Sequence, residues 1–576
     1  MPGTWTSLTN QPTFAANAML LLTDGTVMCQ ELATANWWKL SPDSSGSYVN
    51  GSWSARTSGP NGPTYFASAV LRDGRVFIAG GEDNFGNNGV DIAEAEIYDP
   101  VADAWTNIPI PSNPSTWTEI GDAPCCLLPD GTVLLGSITD QRTAIYNPVG
   151  NGWSAGPDKH DASSEETWTL LPDDTVLVAE CQSHPATEKY VAAAGTWVSA
   201  GSIPSGHDLV QSSIGSSDEI GPAILMTDGR VFAIGASGHT ALYTMPPIAN
   251  QQGSWAPGPD FPSDAAGNLW QAFDAPAVLL PNGRVLCVAG PVQADGWAGN
   301  PCHCLEFDGT SLAQVADPPN GAGVETWELR MLLLPTGEVL VSNRSSDLRV
   351  YQPGGSPDPS WAPQITSAPA SVRPGDTYVL KGRQLTGLSE ANSYGDDATM
   401  ATNFPLVRIR HLGSGNVHYC RTHDHSTRAV ATGNVVQSTK FDVPAGVELG
   451  ASELCVVANG IASCTPVVVS HKRWKELKWE LKEHKEFKEN FKAEIDVAYK
   501  GVLADIPKLK DAEGDPWERY AGDPGWLAAM RAIAERADQL TEQVEELRSF
   551  IRPEERPDLG VDVLSARGPE GESEND

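Results

Sequence analysis

Between residues 1 and 352 one pattern returns seven times: an apolar run, a polar turn, then a second apolar run. The turns are Asp24-Gly25, Asp73-Gly74, Asp130-Gly131, Asp173-Asp174, Asp228-Gly229, Asn282-Gly283 and Thr336-Gly337. Asp-Gly and Asn-Gly steps between apolar runs supply the positive φ of a tight hairpin. They recur every 43 to 57 residues, a period that suits the blades of a β-propeller. After each of the last six hairpins a third run ends on an aromatic: Tyr98, Tyr146, Tyr190, Tyr243, Phe307 and Tyr351. A fourth run carries a tryptophan in the first five repeats, at Trp53, Trp105, Trp153, Trp197 and Trp255. The sixth repeat has only Ser311-Leu312 there, and the seventh lacks a fourth run of its own. Gly3-Thr4-Trp5 supplies it, so the first segment is expected to pair with the last and close the ring.

The pattern changes after the seventh repeat. Residues 353–363 are rich in Gly, Pro and Ser and form a linker. Residues 364–470 alternate in short strands, as at Thr377–Leu380, Leu406–Ile409, Glu453–Val457 and Pro466–Val469, and predict an immunoglobulin-like β-sandwich. Residues 471–552 carry two amphipathic stripes, Trp474 to Ile495 and Leu527 to Ile551, which predict helices. These either pack on each other as an αα-hairpin or dock a partner, a second copy included. The tail, 553–576, is acidic and expected to be disordered. The fold class is mainly β: a seven-bladed kelch-like propeller, a sandwich and a C-terminal helical segment.

Charge narrows the function. The chain carries 38 Lys and Arg against 73 Asp and Glu, a net charge of −35. Residues 1–471 hold 20 against 47, and the remainder 18 against 26. A body this poor in cations does not suit a nucleic-acid backbone. There is no apolar run long enough to span a bilayer. Residues 1–5 lead directly into predicted structure without a secretory leader, so localisation stays open between retention and export by another route. Among the ten cysteines, Cys455 and Cys464 are candidates for a bond between neighbouring strands. Cys125-Cys126 and Cys302-His303-Cys304 lack the paired modules of a zinc site and read as buried thiols.

A kelch-like propeller followed by an immunoglobulin-like domain resembles the galactose oxidase and glyoxal oxidase family of copper radical oxidases. The resemblance covers about residues 1–470, most specifically the LLLPTGEV hairpin (332–339) and the stretch from Phe404-Pro405-Leu406 to His418. It implies one axial copper held by two tyrosines and two histidines, one tyrosine being cross-linked to a cysteine. The implied tyrosine–histidine pair before the last hairpin is here Trp327-Glu328. The implied cross-linked tyrosine is Glu165, and its cysteine would fall near Pro124 or Cys125. The implied second histidine, on a loop of the second domain, is best matched by His418. Both tyrosines are replaced, so the oxidase activity is not carried over, and carboxylates suit harder cations than copper.

Counting eight residues back from each turn gives Ala16, Tyr65, Asp122, Glu165, Ile220, Asp274 and Glu328, with Glu219 beside the fifth. Equivalent positions form a ring about a propeller axis. Asp122, Glu165, Asp274 and Glu328, joined by His418, His423 and His425 from the second domain, are the candidate ligands of a divalent metal. The alternatives are structural: the acids cap neighbouring backbone N–H groups or pair with Arg330, and the histidines hydrogen-bond to the propeller; or the acids do acid–base chemistry on a sugar. Two functions remain open. One is a non-catalytic binding propeller for a glycan or protein, with Trp37, Trp38, Trp117 and Trp297 as candidate sugar-stacking residues and the helical stretch for attachment. The other is a metal-dependent oxidoreductase with an altered centre.

Overall fold

The computed structural model describes residues 3–471, apart from 88, 114, 211–218, 294–299 and 393–399. Seven four-stranded antiparallel sheets follow one another at residues 16–56, 67–108, 125–155, 168–202, 223–257, 277–314 and 330–352. The last takes its fourth strand from Thr4–Ser7, which pairs with Arg349–Gln352 in the register Trp5 to Tyr351. The expected closure is therefore present. The sixth blade has an outer strand without a tryptophan, Leu312–Gln314. First strands of successive blades touch and line the axis.

The tryptophans act as latches between blades. Outside the first blade, where Trp53 meets Phe14, each outer-strand Trp tilts against the aromatic of its own third strand, with ring centroids 5.0 Å apart for Tyr98–Trp105 and 5.1 Å for Tyr146–Trp153. Except at Trp255, which donates to the Thr187 hydroxyl at 3.0 Å, the indole N–H then donates to the carbonyl just past the preceding blade's outer strand. Trp105 reaches Thr57 at 2.9 Å, Trp153 reaches Pro109 at 2.6 Å, Trp197 reaches Pro157 at 3.0 Å and Trp5 reaches Ala316 at 2.6 Å. Trp53 continues the series across the closure by donating to Asn10. A large apolar ring with one polar edge suits a position that needs both packing and one directed bond.

The second β domain is one hydrogen-bonded series of eight strands. The separate sheets of the expected sandwich are joined because Val417–His423 pairs with Leu406–His411 through its first half and with Val436–Asp442 through its second. Val407, Ile409, Phe441, Leu454 and Val456 fill the core between the halves. Cys455 and Cys464 face each other across adjacent strands and form a disulfide. The other eight cysteines are buried thiols.

This domain covers the hairpin end of the propeller. Thr422 N–H donates to Thr23 and His425 N–H to Arg72, both residues flanking hairpin turns. Arg421 reaches the Asp73 carbonyl at 2.7 Å. In the connection between Thr377–Arg383 and Leu406–His411, residues 390–392 reach the innermost strands. Glu390 accepts from the Leu170 N–H at 3.0 Å, and the Ala391 carbonyl accepts from the Leu279 N–H at 2.8 Å. Leu170 and Leu279 end innermost strands, whose outward N–H groups have no neighbouring strand to pair with. The inserted segment thus completes two sheet edges. Arg428, fully buried, holds its base by donating to the Val70 carbonyl at 2.7 Å and to Asn403 at 2.8 Å.

The helical stretches expected over 471–552 and the tail at 553–576 lie outside the described residues, apart from His471.

Candidate functional site

The offset of eight residues places the acids just before the innermost strands, at the end away from the hairpins. Asp122 precedes Cys125–Leu127, Glu165 precedes Trp168–Leu170, Glu219 precedes Ala223–Leu225 and Asp274 precedes Ala277–Leu279. The approach is tightly bent. Tyr65 and Asp274, at equivalent positions in blades two and six, have φ of 52° and 42°, and Ser164 beside Glu165 has 48°. Non-glycine residues in this region are uncommon and collect where side chains must be aimed.

Three carboxylates converge. Glu165, Glu219 and Asp274 each offer an oxygen within 4.8 Å of the other two. Glu219 is buried, and its Oε2 has no hydrogen-bond partner; Glu165 and Asp274 are half-buried. Burial and then the Asp122 and Glu219 carboxylates push the Glu165 carboxyl well above its usual range. Burial, Glu82 and Asp91 do the same to Asp122. Glu82, at the far end of blade two's second strand, is pushed up to about 7 by burial, Asp83, Asp91 and Glu219, with Arg344 opposing. Glu82 escaped the offset count because it follows a second strand and does not precede a first one. In blade five the acid stands one position earlier, at Glu219, while Ile220 is buried in the core at 1 % exposure.

The opposite side of the mouth is aromatic and cationic. Arg344 donates to the Tyr65 hydroxyl at 2.5 Å, and its guanidinium lies 5.5 Å from the Tyr65 ring and 4.8 Å from that of Trp327. Arg330 also lies over Tyr65, at 5.5 Å, and donates to the Trp327 carbonyl at 2.6 Å. The mouth is therefore polarised, with carboxylates on blades three to six and a tyrosine–arginine–tryptophan stack on blades two and seven.

Several expectations need correction. Glu328 does not join the convergent trio: its carboxylate accepts from the Glu325 N–H at 2.9 Å, closing a capping box on a single helical turn. The histidines are at the other end of the propeller. His418 and His423 lie on Val417–His423, and His425 N–H is bonded to Arg72 beside a hairpin turn. About six extended residues separate a hairpin from the acidic end, roughly 20 Å. His423 pairs with Asp442 and Asp424, each at 3.2 Å, and His425 bonds Thr439 at 2.9 Å. The segment that does reach the innermost strands precedes His418 in sequence and carries Glu390 and Asn392. Arg330 lies over Tyr65 and bonds the Trp327 carbonyl. Trp37 and Trp117 are buried packing residues, at 3 % and 1 % exposure, and Trp38 stacks on Phe14 at 4.7 Å. Trp297 lies outside the described residues. In the Cys302-His303-Cys304 segment His303 bonds Asp317 at 2.8 Å and Cys302 bonds the Val324 carbonyl at 2.7 Å, so the three do not form a clip.

Glu166 points away from its neighbour Glu165. It joins Glu180 and Glu188 around Lys159, whose Nζ lies 2.8, 2.8 and 2.9 Å from the three carboxylates inside blade four. The Trp197 ring lies 5.3 Å from the same ammonium.

Compared with known proteins, the chain matches the kelch motif over residues 63–112, the second blade. No curated protein matches it. Among solved structures it is similar to a fungal alcohol oxidase of the AA5 family in complex with copper, at 14 % identity and a TM-score of 0.46, over 82 % of this chain and 99 % of the other. It is also similar to YCF48 from Cyanidioschyzon merolae, at 8 % identity and a TM-score of 0.39, over 60 % and 98 %. The protein is a seven-bladed kelch-type propeller with an added β domain, a statement that rests on its own sheets and on the motif. The convergent axial donors of this chain are three carboxylate oxygens, a set that suits a harder cation than copper.

Proposed function

We propose that the acidic end of the axis is a binding site, in which Glu165, Glu219 and Asp274, with Asp122 beside them, hold a hard divalent cation that a hydroxyl-rich ligand such as a glycan completes. The observation that carries this reading is the convergence of three carboxylates from three successive blades within 4.8 Å. Bonds of about 2.4 Å to one cation allow oxygens up to about 4.8 Å apart. Calcium and manganese take such all-oxygen sites and keep positions for ligand hydroxyls. Tyr65, Arg344 and Trp327, stacked on one another, bound the other side of the mouth and offer hydrogen-bond donors to ligand hydroxyls. The protein then acts as a binding propeller, with residues 472–576 as the segment that attaches it to an assembly.

The test is calorimetric titration of chelator-stripped full chain with Ca²⁺ and Mn²⁺, followed by a glycan array with and without chelator. One equivalent of cation, lost in Glu219→Gln and required for glycan capture, is the expected result. Cation binding that persists in Glu219→Gln and Glu165→Gln overturns the reading. Stoichiometric copper with visible absorption would instead favour a metal-dependent oxidoreductase. Co-purification compared with and without residues 472–576 tests the attachment role.

A further inference from the structure

Blades four, five and six share a second feature at the acidic end of the propeller. A histidine at or near the start of the third strand pairs with an aspartate beyond the fourth. His184 bonds Asp208 at 2.5 Å, His239 bonds Asp260 at 2.8 Å and His303 bonds Asp317 at 2.8 Å. In blades four and six this is a simple latch. Blade five differs, because His207, from the connection between blades four and five, joins the pair.

The rings of His207 and His239 meet edge to face, with centroids 5.1 Å apart. His207 Nδ1 lies 3.6 Å from Asp260 Oδ1, too far for a hydrogen bond. That nitrogen is shut off from solvent and has no hydrogen-bond partner. Together the three residues offer two nitrogens and one oxygen, all within 4.8 Å of one another. The frame behind them is bonded. Ser237 Oγ donates to the Asp208 carbonyl at 2.5 Å, tying the His207 segment to the turn that carries His239. Phe261 N–H donates to the Gly238 carbonyl at 3.0 Å, and Gly258 N–H to Thr240 at 2.8 Å, tying Asp260 to the same turn.

We propose that His207, His239 and Asp260 form a second metal site, for a divalent ion of the zinc class. Two imidazoles and one carboxylate are a donor set for borderline transition ions, which distinguishes it from the all-oxygen site on the axis. Cis ligands around such an ion stand roughly 3 Å apart, given bonds of about 2.0–2.1 Å. The 2.8 and 3.6 Å separations bracket that value. An ion between them gives the buried Nδ1 of His207 the partner it lacks. The side chains of His207, His239 and Asp260 keep 26, 29 and 41 % of their exposure, so the remaining coordination positions open to solvent. Three protein ligands with an open position are the arrangement that binds water or a small anion on the metal, in contrast to a closed four-ligand structural site.

The test uses the full chain stripped with chelator. Zn²⁺ is measured by competition with a chromophoric chelator, and Co²⁺ by its visible d–d bands. One equivalent should bind in the wild type and equally in Glu219→Gln. His207→Phe preserves the ring packing and the His239–Asp260 latch, and is expected to weaken Zn²⁺ at least tenfold, as is Asp260→Asn. His303→Asn, which opens the blade-six latch, should change nothing. Imidazole ¹⁵N spectra give a second readout: added Zn²⁺ should move the His207 and His239 signals and leave His303 in place. Unchanged affinity in His207→Phe overturns the proposal, as does binding that vanishes in Glu219→Gln while surviving in His207→Phe. An absence of Zn²⁺ binding below about 1 mM also overturns it, without bearing on calcium at the axis.

Discussion

Replacing Lys159 by methionine tests how blade four tolerates its acids. The ammonium is inaccessible and touches Glu166, Glu180 and Glu188 at 2.8–2.9 Å, with Asp161 at 3.8 Å. One cation thus faces four carboxyls. Burial already pushes Glu180 up to about 12 and Glu166 up to about 7, Lys159 itself holding the latter down. Near neutrality Glu180 keeps its proton and Glu166 is half ionised. Methionine keeps the packing against Trp197 and removes the charge, and stranding a buried charge costs about 3–5 kcal/mol. The pH dependence identifies the cause. Without Lys159 the Glu166 carboxyl rises further, so the variant's native state retains a proton above pH 7 that the wild type has released. Below pH 7 the two native states carry equal protons at Glu166, and the penalty is level. Above pH 7 it grows by about 1.4 kcal/mol per unit until the variant's own Glu166 ionises. Urea midpoints at pH 6, 7.5 and 9 with unchanged slopes measure this. Lys159→Met/Glu166→Gln should remove the pH-dependent part. A penalty equal at pH 6 and pH 9, or none at all, refutes the reasoning.

The remaining predictions concern the ring, the inserted segment, the disulfide and the axis. Deleting residues 1–8 removes the closing strand and the buried Leu8 and should sharply lower the urea midpoint, whereas Trp5→Phe, which loses one hydrogen bond, should cost about 1 kcal/mol; equal midpoints for deletion and full chain contradict closure. Glu390→Ala strands the Leu170 N–H and removes the acid that supports Arg428, so a loss of about 3–5 kcal/mol is expected, with a smaller loss for Glu390→Gln, read by the same denaturation. Cys455→Ser opens a link nine residues apart in sequence and should cost about 2.5 kcal/mol in the loop-entropy account; a midpoint unchanged under non-reducing conditions argues against the bond. In the metal-free protein Asp122, Glu165 and Glu82 hold protons more tightly folded than unfolded. Their contribution is full below about pH 4.3 and is lost as pH rises through 7 and beyond. Glu165→Gln should therefore raise the metal-free melting temperature at pH 8 and abolish any rise produced by Ca²⁺.

The fold was legible because each blade repeats its own grammar. Asp-Gly turns set the hairpins, and the aromatic of the third strand and the Trp of the fourth meet in register within a few residues. Trp5 could be assigned to the last blade because the seventh repeat lacked the residue that five others had. The placement of Asp122, Glu165 and Asp274 just before innermost strands was legible because the repeat is strict there. It was lost where the backbone departs from the repeat. In blade five Ile220 faces the core and the acid is its neighbour Glu219. In blade seven a helical turn precedes the strand, and Glu328 is spent on capping it. The histidines were misplaced for a different reason. Contacts between the propeller and the second domain join residues hundreds of positions apart, as from Arg421 to Asp73. No periodicity marks which segment reaches the innermost strands, and the one that does carries Glu390 in place of an imidazole.

The two ends of the innermost strands solve opposite problems. At the hairpin end, the segment around Glu390 and Ala391 gives buried N–H groups the acceptors they need. That is a stabilising arrangement and needs no function to explain it. At the other end, burial and neighbouring carboxylates raise the affinity of Glu82, Asp122 and Glu165 for protons, with Arg344 opposing at Glu82. Stability alone disfavours such a group, since replacing any one acid by its amide would relieve the others. Elsewhere buried acids of this chain meet internal cations: Lys159 sits among Glu166, Glu180 and Glu188, and Arg428 supports Glu390. At the axis the physical argument for a ligand is geometric: Glu165, Glu219 and Asp274 each offer an oxygen within 4.8 Å of the other two, a spacing that ligands of one cation can take.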